Sequence, residues 1–204
     1  MTDPIGDAAE AALRGELVVL PTDTVYGLAT RPDDPSATAR LFEAKGRPRG
    51  LELPVLVPSV ASARRIAELD DRAEALVTRF WAGPLTIVLP RTEASGAWDL
   101  GGDPTTIGVR MPHHPLALAV LARAGPLAAT SANRSGEPTP SSCEGVVEAF
   151  GGSVAVYLCA EAPLEGVASS VVDLAHGEAR IIRPGAVTEA DVRAALAEPW
   201  AGRR

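Results

Sequence analysis

The chain has 204 residues, 46% of them hydrophobic and 22% charged, with a formal net charge of −7. That apolar fraction excludes a disordered segment, and 19 Gly with 18 Pro in no fixed period exclude a collagen-like rod. The acid excess argues against a general nucleic-acid coat, which needs Lys and Arg in surplus on one face.

In chain order, residues 7–13 form an alanine-rich amphipathic helix stopped by Gly15, and residues 16–20 a short buried strand ended by Pro21. Asp34 supplies an N-cap, Pro35 the first helical position and Gly46 the stop of the next helix. A strand is expected at 53–57, a helix capped by Ser59 running to Leu69, a helix at 72–80, and strands at 85–89 and 105–110. A helix at 116–124 leads into a strand at 126–130, a turn-rich stretch at 131–142 and a helix ending at Phe150. Strands near 154–158, 170–174 and 179–182 follow, and Thr188 with Asp191 makes a capping-box start for a last helix at 188–197. Strands alternating with helices early and clustering late predict an α/β protein with an open mixed sheet and packed helices. A single domain over 1–204, with its core at about 16–187, is expected.

No apolar run reaches the roughly 18 residues of a membrane helix, and acid rather than base stands in Met1-Thr2-Asp3-Pro4. A cytoplasmic protein with no membrane partner is expected. Cys143 and Cys159 have no CxxC spacing and no nearby Cys or His, so they read as two ordinary reduced thiols. His113 and His114, with no ligand-spaced companion, read as turn residues, and no protein metal site is expected.

Chemistry concentrates where polar residues interrupt these elements, and neither a GxxxxGKS/T loop nor a GxGxxG after a strand is present. Pro21-Thr22-Asp23-Thr24-Val25-Tyr26-Gly27-Leu28 sets hydroxyls, a carboxylate and a phenol at a strand end, either as ligand groups or as a self-capping turn. Lys45-Gly46-Arg47-Pro48-Arg49 is an anion clamp or a solvated helix end. Trp81-Ala82-Gly83-Pro84-Leu85-Thr86 turns a helix into a strand, with Trp81 read as packing. Arg110 ends an apolar strand and needs an anion, either a small carboxylate ligand or one of the chain's own acids. Residues 130–139 are hydroxyl-rich after a strand and suit phosphate or a plain loop. Ser169-Ser170 and Arg183-Pro184-Gly185-Ala186 add further hydroxyls and an arginine. No GxSxG elbow supports a Ser-His-Asp triad.

The segments PTDTVYGL, KGRP, GPLT, GVRMP, SANRSG, SSVVDL and RPGA, in this order, resemble the YrdC-like family of threonylcarbamoyl-AMP synthases from about Leu17 to Ala186. The resemblance implies an open twisted sheet around a large positively lined cavity. It also implies joining of L-threonine, bicarbonate and ATP into threonylcarbamoyl-AMP with release of diphosphate, feeding a downstream threonylcarbamoyl transferase and tRNA. Carried over residue by residue, Thr24, Arg110 and Ser169 match positions that hold threonine. Arg47, Thr106, Ser131, Thr139 and Arg183 match nucleotide positions, with Lys45 and Asn133 close by and Lys45 a possible catalytic group. Magnesium would come with the ATP phosphates, and no permanent cofactor is implied. The alternatives are a non-catalytic relative that binds double-stranded RNA or ribosomal precursors, and a paralogue using another amine or carbamoyl donor. Residues 49–53 look lengthened, and Pro58 stands where the family has histidine. Ala82 replaces a proline, Ala168 replaces a glutamate, and the chain resembles the short members without an extra C-terminal domain.

Overall fold

The computed structural model describes residues 3–164 and 166–197. Its helices are α1 (Pro4–Leu13), α2 (Pro35–Lys45), α3 (Val60–Ile66), α4 (Asp71–Phe80), α5 (Pro115–Ala124), α6 (Cys143–Phe150) and α7 (Glu189–Ala197). The strands are β1 (Val18–Leu20), β2 (Gly27–Thr30), β3 (Val55–Leu56), β4 (Leu85–Pro90), β5 (Thr106–Arg110), β6 (Leu127–Ser131), β7 (Val156–Tyr157), β8 (Ser170–Asp173) and β9 (Arg180–Arg183). All nine join one sheet in the order β7-β1-β2-β6-β3-β5-β4-β8-β9. β1 with β7, β3 with β5 and β4 with β8 run parallel and the other neighbours antiparallel, so the sheet is mixed, as expected.

Local chemistry starts and stops the helices. The Asp34 carboxylate accepts from Ser36 N at 2.8 Å, Pro35 has no N–H to leave unpaired, and Gly46 ends α2 at φ 64°, where a side chain would be strained. Around α7, Thr188 N donates to Asp191 Oδ2 and Asp191 N donates to Thr188 Oγ1, each at 3.2 Å, which is the reciprocal cap that the spacing predicts. α1 starts earlier than residue 7, because Asp3 accepts from Gly6 N at 3.0 Å and Pro4 opens the helix.

The core lies on both faces of the sheet. Ala8, Ala9, Ala11 and Ala12 of α1 pack with Val120 and Leu121 of α5 over Val18, Leu20 and Leu127, small side chains letting the helices come close. The other face carries the larger cluster around Leu41, Leu53, Leu76, Leu85, Ile87, Ile107 and Val109.

Three expectations change. β2 was not anticipated, since Gly27 to Thr30 carries little β propensity; β1 and β6 make it a strand by pairing with it on both sides. α3 stops at Ile66 instead of reaching Leu69, because Ala67 takes extended geometry to bridge Arg91. The cysteines are not free thiols: Cys143 at the start of α6 and Cys159 after β7 form a disulfide with Cα atoms 5.4 Å apart. Spacing rules do not foresee it, because the return of residues 151–158 to β1 brings the two together.

Candidate active site

The turn between β1 and β2 is organised by one hydroxyl. Thr22 Oγ1 donates to Val25 O at 2.6 Å, spending its only proton, so at 2.9 Å from Thr24 Oγ1 it accepts from the Thr24 hydroxyl. Thr24 thereby points lone pairs at its neighbours, and Arg110 Nη1 donates to it at 3.0 Å. The self-capping posed for this segment is present, and the same turn sets Thr22 and Thr24 on the wall of a recess.

Arg110, at the end of β5, is buried, and its Nε donates to Gly83 O at 3.1 Å and its Nη2 to Asp23 Oδ1 at 2.7 Å. Burial and the nearby Arg183 charge depress its pKa, whereas Asp23 raises it. Asp23 is therefore the chain's own acid for Arg110, a role the sequence does not announce at a separation of 87 residues.

On the far wall, Ser169 Oγ lies 3.1 Å from Thr86 Oγ1 and accepts from Arg183 Nη2 at 2.8 Å. Arg183 also donates to Ser169 O from Nε at 3.1 Å and Nη2 at 2.7 Å. Arg47 donates from Nε to Leu51 O at 3.1 Å and from Nη2 to Glu52 O at 2.8 Å. Neither Arg47 nor Arg183 has an acidic partner among the described residues. Burial depresses both pKa values, and for Arg47 the Arg183 charge adds to the effect. Arg47 is half-buried and Arg183 exposed at its rim, and two guanidinium groups close enough to repel each other, with no acid between them, would favour an anion in the recess.

Two adjoining recesses share these residues. Thr24, Arg110, Ser169, Ser131, Thr139, Arg47 and Arg183 line one of about 150 Å³. Thr106 lines the other, of about 380 Å³, together with Arg47 and Arg183. The β3 wall is built by Pro54 and Leu56, not by Pro58. Lys45 and Asn133 stand behind the wall. Lys45 Nζ donates to Ser131 O and Asn133 Oδ1, both at 2.6 Å, and Thr139 Oγ1 donates to Asn133 Oδ1 at 3.1 Å. Burial, with Arg47 nearby, lowers Lys45 to about 8. These contacts shape the turn that presents Ser131 and Thr139. Sequence reasoning counted Asp23 and Tyr26 among the polar groups of their segment but gave neither a role; Tyr26 is a buried phenol that accepts from Ala160 N at 3.0 Å and lines the smaller recess. The only signal was their place inside PTDTVYGL.

His114 stands at the N-cap of α5 and His113 N donates to Asp23 Oδ1 at 2.8 Å, so both belong to the turn. Among the described residues no three His, Cys, Asp or Glu side chains converge as a metal site. Glu52, on the wall of the larger recess, has Oε1 without a hydrogen bond and 3.9 Å from Arg91 Nη2. Burial pushes its carboxyl up from 4.5 to about 7, against the pull of Arg91. A raised folded-state pKa gives stability that is full below the unfolded value and lost as pH rises through the folded one. The unfolding free energy of Glu52→Gln minus that of the parent should therefore grow between pH 4.5 and 7, by at most about 3 kcal/mol. Urea melts across this range check it, and parallel profiles would show that the carboxylate is not desolvated.

This sheet and its arginine-lined recesses define the protein's class: residues 10–185 match the Sua5/YciO/YrdC family model, described as telomere recombination, and the chain belongs to that family. A Mycobacterium tuberculosis relative, provisionally named a threonylcarbamoyl-AMP synthase, is 41% identical over 90% of this chain and 85% of its own length. The threonylcarbamoyl-AMP synthase of Pyrococcus abyssi is 39% identical over 94% of this chain, which spans 56% of that protein. The crystal structure of Pyrococcus abyssi Sua5 complexed with L-threonine superposes with a TM-score of 0.86 at 36% identity, covering 97% of this chain and 59% of that one. Among the described residues no helix is long and apolar enough to cross a membrane.

Proposed function

We propose that this protein is a threonylcarbamoyl-AMP synthase, a nucleotidyltransferase that joins L-threonine, bicarbonate and ATP and releases diphosphate. The observation that carries the reading is the convergence, in one recess, of Arg110 with the Thr24 and Ser169 hydroxyls and two acid-free arginines. Threonine enters with its carboxylate on Arg110 and its polar groups near the Thr24 and Ser169 hydroxyls. ATP lies with its phosphates on Arg47 and Arg183, reaching Thr106, Ser131 and Thr139. Lys45 and Asn133 hold the 131–139 turn in shape.

The threonine amine and bicarbonate condense to a carbamate with loss of water, and a carbamate oxygen attacks the α-phosphorus as the bond to diphosphate breaks. Carbamate is a weak nucleophile, so the protein's work is positioning and neutralisation of charge on the leaving diphosphate, with no covalent nucleophile. Magnesium would enter on the phosphates, completed by water, and would neutralise further charge there. The product, a mixed carbamic-phosphoric anhydride, would go in the cytoplasm to a transferase that modifies tRNA.

Diphosphate release measured with ATP and bicarbonate, with and without L-threonine, tests the reading. Release that depends on threonine is expected. Identical release in both would remove the assignment and favour a paralogue with another amine, and no release with retained affinity for double-stranded RNA would favour the non-catalytic alternative.

A further inference from the structure

Arg110 has five N–H groups and spends three: Nε on Gly83 O, one of Nη1 on Thr24 Oγ1 and one of Nη2 on Asp23 Oδ1. One N–H remains on each terminal nitrogen, so Arg110 keeps two donors to offer the two oxygens of a carboxylate. The guanidinium cannot turn away from this pose, because Asp23 is itself fixed. Its Oδ1 accepts from His113 N at 2.8 Å, tying the turn before β2 to the turn after β5. Asp23 and Arg110 are both largely buried, with side chains 15% and 8% exposed, so the contact is little screened by solvent.

Charge is distributed unevenly along the recess as a result. Arg110 is neutralised by Asp23, whereas the bonds of Arg47 and Arg183 go to neutral oxygens and leave both cations uncompensated. A polyphosphate gains most where the cations are uncompensated. A zwitterionic amino acid, with no net charge, loses least where they are compensated, and its ammonium is attracted by Asp23 rather than repelled by a bare guanidinium.

We propose that Asp23 is a positioning and specificity residue: it aims the two free N–H groups of Arg110 at an amino-acid carboxylate and cancels the charge that would draw phosphate into the same end of the cavity. This rests on the assignment of threonine to Arg110.

The test is calorimetric titration of parent and Asp23→Asn proteins with L-threonine and with ATP, repeated with inorganic diphosphate as competitor. The parent should bind threonine without displacement by diphosphate. Asp23→Asn should lose about 10- to 100-fold in threonine affinity, keep its ATP affinity, and gain competition between diphosphate and threonine. Unchanged threonine affinity would overturn the proposal, and so would weakened affinity without the new competition, which marks a merely structural role. Should Asp23→Asn fail to fold, Asp23→Glu keeps the charge on a longer stem. It should weaken threonine binding yet still exclude diphosphate, and admission of diphosphate there would overturn the proposal. Failure of the parent protein to bind threonine at all would instead defeat the functional reading beneath it.

Discussion

Arg110→Ala is expected to abolish threonine binding while leaving most of the ATP affinity. The substitution removes both donors that meet the carboxylate, and two charge-assisted hydrogen bonds together are worth about 3 kcal/mol or more, a hundredfold or greater loss. ATP should be spared because the proposed function puts its phosphates on Arg47 and Arg183. The same change leaves Asp23 buried without its cation, which costs stability, so a thermal melt has to accompany the titration. Arg110→Lys should rescue threonine binding poorly, since an ammonium cannot reach Gly83 O, Thr24 Oγ1 and Asp23 Oδ1 and still present two parallel donors. Near-normal threonine affinity in a folded Arg110→Ala protein would leave Arg110 as an internal ion pair and nothing more.

The two acid-free arginines should separate in a different way. Arg47→Ala and Arg183→Ala are each expected to weaken ATP binding by about 10- to 100-fold, the loss of a charge-assisted contact to phosphate. Only Arg183→Ala should also raise the KM for threonine, because Arg183 makes three hydrogen bonds to Ser169 and holds its hydroxyl in place. Arg47 bonds to Leu51 and Glu52 carbonyls and makes no hydrogen bond to Thr24, Arg110 or Ser169, so its removal should leave the threonine KM alone. Steady-state kinetics with each substrate varied in turn separate the two variants. Unchanged ATP affinity in both folded proteins would make these arginines structural.

What could be read from the sequence was whatever short-range chemistry decides. α2 was legible because Asp34, Pro35 and Gly46 each state a backbone preference within one or two residues. Strands β4 and β5 announced themselves as apolar runs, and Arg110 was conspicuous at the end of one of them. The motif segments hold most of the residues that line the smaller recess, but not Pro54, Leu56, Ala129, Thr130, Thr139 or Ala168. What stayed hidden was set by contacts between distant parts of the chain: β2 is a strand because of β1 and β6, and Cys143 meets Cys159 through the path of β7. The choice between a ligand carboxylate and an internal acid for Arg110 was undecidable from sequence. The structure has Asp23 on one N–H and sets Arg110 on the wall of a recess of about 150 Å³.

The sheet order has a consequence for how the chain acquires its site. Thr24 precedes β2, Ser131 ends β6, Arg110 ends β5, Thr86 lies on β4, Ser169 precedes β8 and Arg183 ends β9, so neighbours in the recess come from opposite ends of the polypeptide. Ser169 and Arg183 meet locally across β8 and β9, but loop-closure entropy has to be met for several long-range pairings before all of these side chains face one recess, a topology of high contact order and slow folding. A chain that ends before residue 169 lacks Ser169 and Arg183 and so holds the recess only in part. Ligands that bind the completed sheet and nothing earlier pull a folding equilibrium toward it by mass action, so under the proposed function saturating threonine and ATP would act on this chain as thermodynamic chaperones.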